Sequence, residues 1–224
     1  VSIDKVHLRK LLRLFLLRDD LRTTQVRADA KAEARKRREG PRPGGGDFHT
    51  PFWCDAKAHA GGRGDLADAT DLEIEKNWRR KRLYPRLRDG FLLWWNEKRR
   101  WINEDIEELP NTIKASYGFA EIGGTVKVEN LLCLKVGEGE RRLVYAYFSE
   151  RPALTEEEAR LGLWVMSKAL PKENIQNMRI LDVIRGEPFS VDRYPLRGDE
   201  EKIFVGRYGR MLIQWRRFVE EFGG

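Results

Sequence analysis

The chain has 224 residues, 41% apolar and 35% charged, with a formal net charge of +7. Its longest apolar runs, Leu14 to Leu17 and Phe91 to Trp95, fall far short of the roughly 18 to 20 residues a spanning helix needs, so a membrane protein is not expected. The basic balance favours an anionic partner, nucleic acid first among them, although 36 acidic residues make the distribution of charge matter more than its sum.

The start, Val-Ser-Ile-Asp-Lys-Val, is charged and unlike a secretory signal, which predicts a cytoplasmic protein. Residues 3 to 38 read as one long helix capped by Ser2. Val6, Leu8, Leu11, Leu12, Phe15 and Leu16 recur at helical spacing. Beyond Leu21 the apolar stripe fades into Ala, Lys, Arg and Glu, which suits a helix with little to bury, projecting from the body or fraying. The glycine and proline run from Gly40 to Gly46 reads as a linker. It divides the chain into residues 1–46, a long helix and linker, and residues 47–224, a helical segment followed by an α/β core.

Thr50 and Pro51 open a helix running to about Ala60. Thr70 with Glu73 has the spacing of a capping box, predicting a helix to about Leu83, and Pro85 restarts it to about Arg100. From Ile113 the period changes to two. Strands are predicted over Ile113–Phe119, Thr125–Leu134 and Arg142–Phe148, with a hairpin turn over Gly137–Gly139 between the last two. A helix starts at Thr155 after Pro152. Two short strands follow, Met178–Ile184 and Pro188–Val191, and Asp199 caps a final helix with an apolar stripe from Phe204 to Phe222. The fold class expected is α+β.

Cys54 and Cys133 lie far apart, and the three histidines, His7, His49 and His59, have no second cysteine near them, which argues against a structural zinc site. Two basic clusters could neutralise phosphates. One is Arg35, Lys36, Arg37 and Arg38, flanked by Lys31 and Arg42. The other is Arg79, Arg80, Lys81 and Arg82 with Arg86 and Arg88, extended by Lys98 to Arg100. Trp78, Tyr84, Trp94, Trp95 and Trp101 interleave with the second cluster and could stack on unpaired bases or simply fill the core. Asp55-Ala56-Lys57 fits a loose acid-x-Lys pattern, but on a short helix, where ordinary surface polarity explains it.

Helix, three strands, helix and two strands, with Gly124 opening the second strand and an apolar third strand from Leu143 to Tyr147, resembles the PD-(D/E)XK nuclease superfamily and most closely its RecB-like branch. The resemblance covers about Leu87 to Val191. It implies a restriction-endonuclease-like core (β-β-β-α-β-β) between a helical N-terminal region and a C-terminal helix. In that register Lys127 and Tyr145 stand where the metal-binding acids belong, and Tyr147 stands where the catalytic lysine belongs. Mg²⁺ takes oxygen ligands and needs carboxylates, so the resemblance implies a degenerate member without a cofactor. Such a subunit would bind nucleic acid or scaffold a bacterial DNA-processing or defence assembly. Two alternatives stay open: a protein-interaction or homo-oligomerisation module docked through the N-terminal helix, and a Mg²⁺-dependent nuclease with a non-standard site that includes Glu121 and Glu129.

Overall fold

A computed structural model describes residues 2–40, 47–99, 104–109, 113–137 and 139–223. The N-terminal segment is not one helix. Lys5–His7 is a strand, β1, followed by α1 (Leu8–Leu16) and, after extended backbone at Leu17 and Arg18, α2 (Asp19–Glu39). Asp19 and Asp20 in the first turn of α2 favour a new start there, because carboxylates suit the positive end of the helix dipole. The Ser2 hydroxyl donates to the Asp4 carboxylate and caps no helix.

Helix α3 spans Thr50–Ala60, as its opening proline predicts. Helix α4 (Leu66–Lys76) starts earlier than the Thr70 reading, because Asp65 supplies the cap: its carboxylate accepts from the backbone N–H groups of Ala67 (2.7 Å) and Asp68 (3.1 Å). Thr70 lies inside the helix, its hydroxyl donating to the Leu66 carbonyl. A 3₁₀ turn at Trp78–Arg80 leads to α5 (Tyr84–Leu93), which runs on into a π-helical turn, Trp94–Lys98.

The strands are β2 (Ile106–Glu108), β3 (Lys114–Phe119), β4 (Gly124–Glu129), β5 (Leu132–Val136), β6 (Glu140–Tyr147), β7 (Met178–Asp182) and β8 (Glu187–Phe189). Helix α6 (Glu156–Ala169) joins β6 to β7, and α7 (Glu200–Gly223) ends the chain. The fold is α+β. The expected second strand is two strands, because Asn130 takes a left-handed conformation (φ 65°) between β4 and β5. Its carbonyl accepts from Trp53 Nε1 (2.7 Å) and its side-chain oxygen from Lys57 Nζ (2.8 Å). The expected three-strand meander is therefore divided between two sheets. One has the order β1-β4-β3, with β1 parallel to β4. The other has the order β2-β5-β6-β7-β8.

In the five-stranded sheet β6 and β7 run parallel, and both faces are covered, as parallel pairs require. Leu143, Tyr145 and Tyr147 of β6 join one apolar cluster with α1, α6, α7 and the small sheet. Val144, Ala146 and Phe148 join another with α3 and α5. Helix α6 contacts both sheets as well as α1 and α7, which explains why every residue from Glu158 to Met166 is buried.

The N-terminal segment belongs to the first cluster through Ile3, Val6, Leu11, Leu12 and Phe15. Nor does α2 project freely. Val26, Ala30 and Ala34 form a stripe of small residues at steps of four and are buried, and the helix lies along α7. Arg27 reaches across to pair with Glu221 and sits over the rings of Phe218 and Phe222. Among the described residues, no helix is long and apolar enough to cross a membrane.

Candidate functional site

The three positions singled out by the nuclease resemblance are held differently. Lys127 is half-buried on β4, paired in register with His7 on β1, while Tyr145 and Tyr147 are buried on β6 in the other sheet. The charges of Arg9, Lys127 and Glu129 act on His7, and those of Arg9 and Glu129 reach Tyr145. The Tyr145 hydroxyl accepts from the backbone N–H of Arg9 (3.0 Å), and the Tyr147 hydroxyl donates to the Pro152 carbonyl (2.9 Å). Burial pushes both phenols up to about 12, so both are neutral at pH 7.

The two fallback carboxylates do not meet. Glu121 is exposed in the turn before β4, and Glu129 ends that strand, whose six residues rise roughly 16 Å. Glu129 instead lies 3.9 Å from His7 Nδ1. Burial, then the charge of Arg9, lowers the pKa of His7. Among the described residues, no three His, Cys, Asp or Glu side chains gather as they would around a metal ion.

What the fold does assemble is a basic cleft of about 840 Å³. Helix α1 contributes Arg9, Lys10 and Arg13. Arg13 lies three and four residues after Lys10 and Arg9, and all three fall on the side of the helix away from its buried leucines. The turn before α5 and its first residues contribute Arg82, Leu83 and Arg86, and the end of β6 with the loop after it contributes Tyr147, Phe148, Glu150 and Arg151. The aromatic wall includes His49, stacked on Phe148 at 4.9 Å between centroids. Burial, and then the Arg9 guanidinium, push the His49 pKa down to about 4. Asp47 lies 3.5 Å from His49 Nδ1 but is also engaged by Arg9. At pH 7 His49 is thus a neutral ring and adds no charge.

The charge balance of the cleft follows from its ion pairs. Arg9 is paired with Asp47, and Lys10 with Asp29 at 2.7 Å. Arg82 and Arg86 share a single carboxylate, Glu150. Arg13 and Arg151 have no ion-pair partner among the described residues. Six cations thus face three carboxylates, which leaves three positive charges uncompensated.

The loop that carries Glu150 and Arg151 is fixed from below. Arg185 donates to the backbone carbonyls of Ser149 (3.3 Å) and Glu150 (2.7 Å) and is held by both oxygens of Asp182. Asp182 is buried, also accepts from the Leu154 N–H (3.2 Å), and has its carboxyl pKa raised by that burial. One nitrogen of Arg185, Nη1, is shared between the Asp182 carboxylate and the Ser149 carbonyl, while Nη2 holds Glu150, which ties the loop to β7.

Of the two basic clusters, only Arg82 and Arg86 enter the cleft. Arg79 and Lys81 are exposed beside it, Arg80 is tied to Glu73 and packs over Tyr84, and Arg88 pairs with Asp89. Arg35, Lys36, Arg37 and Arg38 are exposed on the last turns of α2, with Arg37 3.8 Å from Glu33. They lie roughly 15–20 Å along the helix axis from Gln25, which borders the cleft. Arg42, Arg100 and Trp101 lie outside the described residues. Lys98 pairs with Glu187 at 3.1 Å, and Arg99 covers the Trp95 ring. Lys57 of the acid-x-Lys tripeptide is used by Asn130.

The cleft residues missed in the sequence are Arg9, Lys10, Arg13 and Arg151. The first three had a signal, the i, i+1, i+4 basic face opposite an apolar stripe, but a solvated helix face has the same pattern. A second cavity, about 940 Å³ between α1, α2 and α7, also contains arginines. There Arg207 is bound by Glu157 and Glu158 and Arg22 by Asp19, while Arg210 and Arg217 have no ion pair among the described residues, so four cations face three carboxylates and one positive charge is left over. No protein-family model matches this chain, and no curated protein matches it.

Proposed function

We propose that this chain binds the phosphate backbone of nucleic acid in the basic cleft and does not cleave it, acting as a non-catalytic subunit of a bacterial nucleic-acid-processing or defence assembly. The observation that carries the reading is the cleft's surplus of positive charge, with Arg13 and Arg151 unpaired among the described residues. Such groups release the counterions of a polyanion at little desolvation cost. The nuclease resemblance would put Tyr147 in the place of the catalytic lysine. Tyr147 lines the same cleft, and it is a neutral phenol that already donates to Pro152. In that register Tyr145 would take the place of the acid, and the carboxylate opposite Tyr147 on β7, Asp182, is already engaged by Arg185.

The test is fluorescence anisotropy of a labelled oligonucleotide, DNA and RNA in turn, with Mg²⁺ present. Three to six phosphate contacts predict a plot of log K against log salt with a slope of about −2 to −4 for a single strand. The oligonucleotide is recovered at full length. Absence of binding at about 50 mM salt sinks the proposal, and shortened product sinks its non-catalytic part.

A further inference from the structure

Trp78 stands out on the surface four residues before Arg82, which lines the cleft. It is 77% exposed, more than Ile213, Leu72 or Leu21, the other large apolar side chains left in solvent among the described residues. An indole offers a large apolar face, and leaving it in water forgoes its burial. It is also held in place. Asn77 Oδ1 accepts from the Arg79 N–H (3.2 Å), Lys81 N–H donates to the Trp78 carbonyl (3.1 Å), and Leu83 N–H donates to the Arg80 carbonyl (3.0 Å). Arg80 anchors this turn from behind through Glu73 and the Tyr84 ring.

We infer that the ligand class is single-stranded nucleic acid, with Trp78 stacking on an unpaired base while the cleft holds the neighbouring phosphates. This rests on the cleft being the binding site. Arg79 and Lys81 follow Trp78 in the same turn, exposed and without an ion pair among the described residues, and Arg82 lines the cleft. Only Arg79, Arg80 and Lys81 separate Trp78 from Arg82. The surrounding cations favour a polyanion over an apolar protein surface. A base has a free π-face only when it is unpaired, so a duplex would gain the phosphate contacts but not the stack. Among the described residues, the other aromatic side chains of this cluster are occupied. Tyr84 and Trp94 are buried, and the Trp95 ring is covered by Phe91 and Arg99.

Full-length protein and its Trp78→Ala and Trp78→Phe variants are titrated with an oligothymidine and with a duplex of equal length. Wild type is expected to prefer the single strand and to lose tryptophan fluorescence on binding it. Trp78→Ala is expected to weaken single-strand binding roughly 5- to 150-fold, narrowing the preference over duplex, and to lose most of the quenching, with Trp78→Phe between the two. Equal single-strand affinity in wild type and Trp78→Ala, or a preference for duplex in wild type, overturns the inference. If cleft variants still abolish binding in that case, the cleft reading stands without the stack. If they do not, the cleft reading fails as well. Because the side chain is largely exposed, both variants are expected to fold, which circular dichroism verifies.

Discussion

Arg13→Glu combined with Arg151→Glu is expected to weaken nucleic-acid binding by at least about 100-fold at low salt. A charge-assisted hydrogen bond is worth about 1.5–3 kcal/mol, so losing two costs roughly 3–6 kcal/mol, or about 10² to 10⁴ in affinity, before the repulsion from two new carboxylates is added. The salt slope should also flatten by about 1.4, since each phosphate contact on a single strand contributes about 0.7. Neither arginine has an ion pair to lose among the described residues, Arg151 is exposed and Arg13 is half-buried, so the fold should survive. The matched control reverses Arg35, Lys36 and Arg38 on α2. It removes more charge, but at a distance from the cleft, and is expected to cost much less affinity. Normal binding by the cleft variant together with lost binding by the α2 variant would move the site to α2.

The second large effect is on stability. Gly90→Ala is expected to destabilise the protein by about 3 kcal/mol or more, at or beyond the upper end of what overpacking usually costs. A Cβ at Gly90 would stand 2.1 Å from the Val183 carbonyl oxygen and 2.5 Å from that of Ile184. Both are backbone atoms, so no side chain can turn away to make room. The approach is tight from the other side as well. Gly186 takes φ 57°, and a Cβ there would lie 2.5 Å from the Gly90 carbonyl oxygen. Helix α5 thus rests directly on the Val183–Arg185 turn. The helix carries Arg86 and the turn carries Arg185, which holds the Ser149–Glu150 backbone, so the variant should lose affinity as well as stability. Gly206→Ala on α7 is the comparison, since a Cβ there meets nothing within 4 Å. In a helix that change is expected to be neutral or to stabilise by up to about 1 kcal/mol. Denaturant midpoints measure both, and a Gly90→Ala midpoint equal to wild type contradicts the packing described.

The parts of this fold that were legible in the sequence are those whose signals are local. Pro51 opens α3, the Glu156–Glu158 run opens α6, and the apolar steps from Phe204 to Phe218 give α7 its buried face. Elements set by tertiary pairing were not. Lys5–His7 is a strand only because β4 runs beside it, and its Val6 fits the helical spacing of the leucines that follow just as well. Asn130 divides a continuous β-type pattern because Trp53 and Lys57, more than seventy residues earlier, bind it. Competing caps misled at α4, where Asp65 and Thr70 both precede apolar residues and only the first is used.

The cleft illustrates the same limit. Density of arginines along the chain picked out residues 35–38 and 79–88, yet the cleft is built from α1, the turn before α5 and the loop after β6. Arg82 and Arg86 were found because they belong to a run. Arg151 was not, because it stands alone before Pro152, and Arg9, Lys10 and Arg13 were hidden by the apolar stripe they border. That Tyr145 and Tyr147 share one strand could be read in advance, but not the burial and backbone hydrogen bonds that go with keeping both phenols neutral.

Photo-crosslinking of a thiothymidine-substituted single strand to the full chain, followed by peptide mapping, tests the central claim most directly. The predicted result is adducts in the segments 82–86 and 147–151, which border the cleft from two sides. Adducts confined to the last turns of α2 or to α7, with none in those two segments, would contradict it.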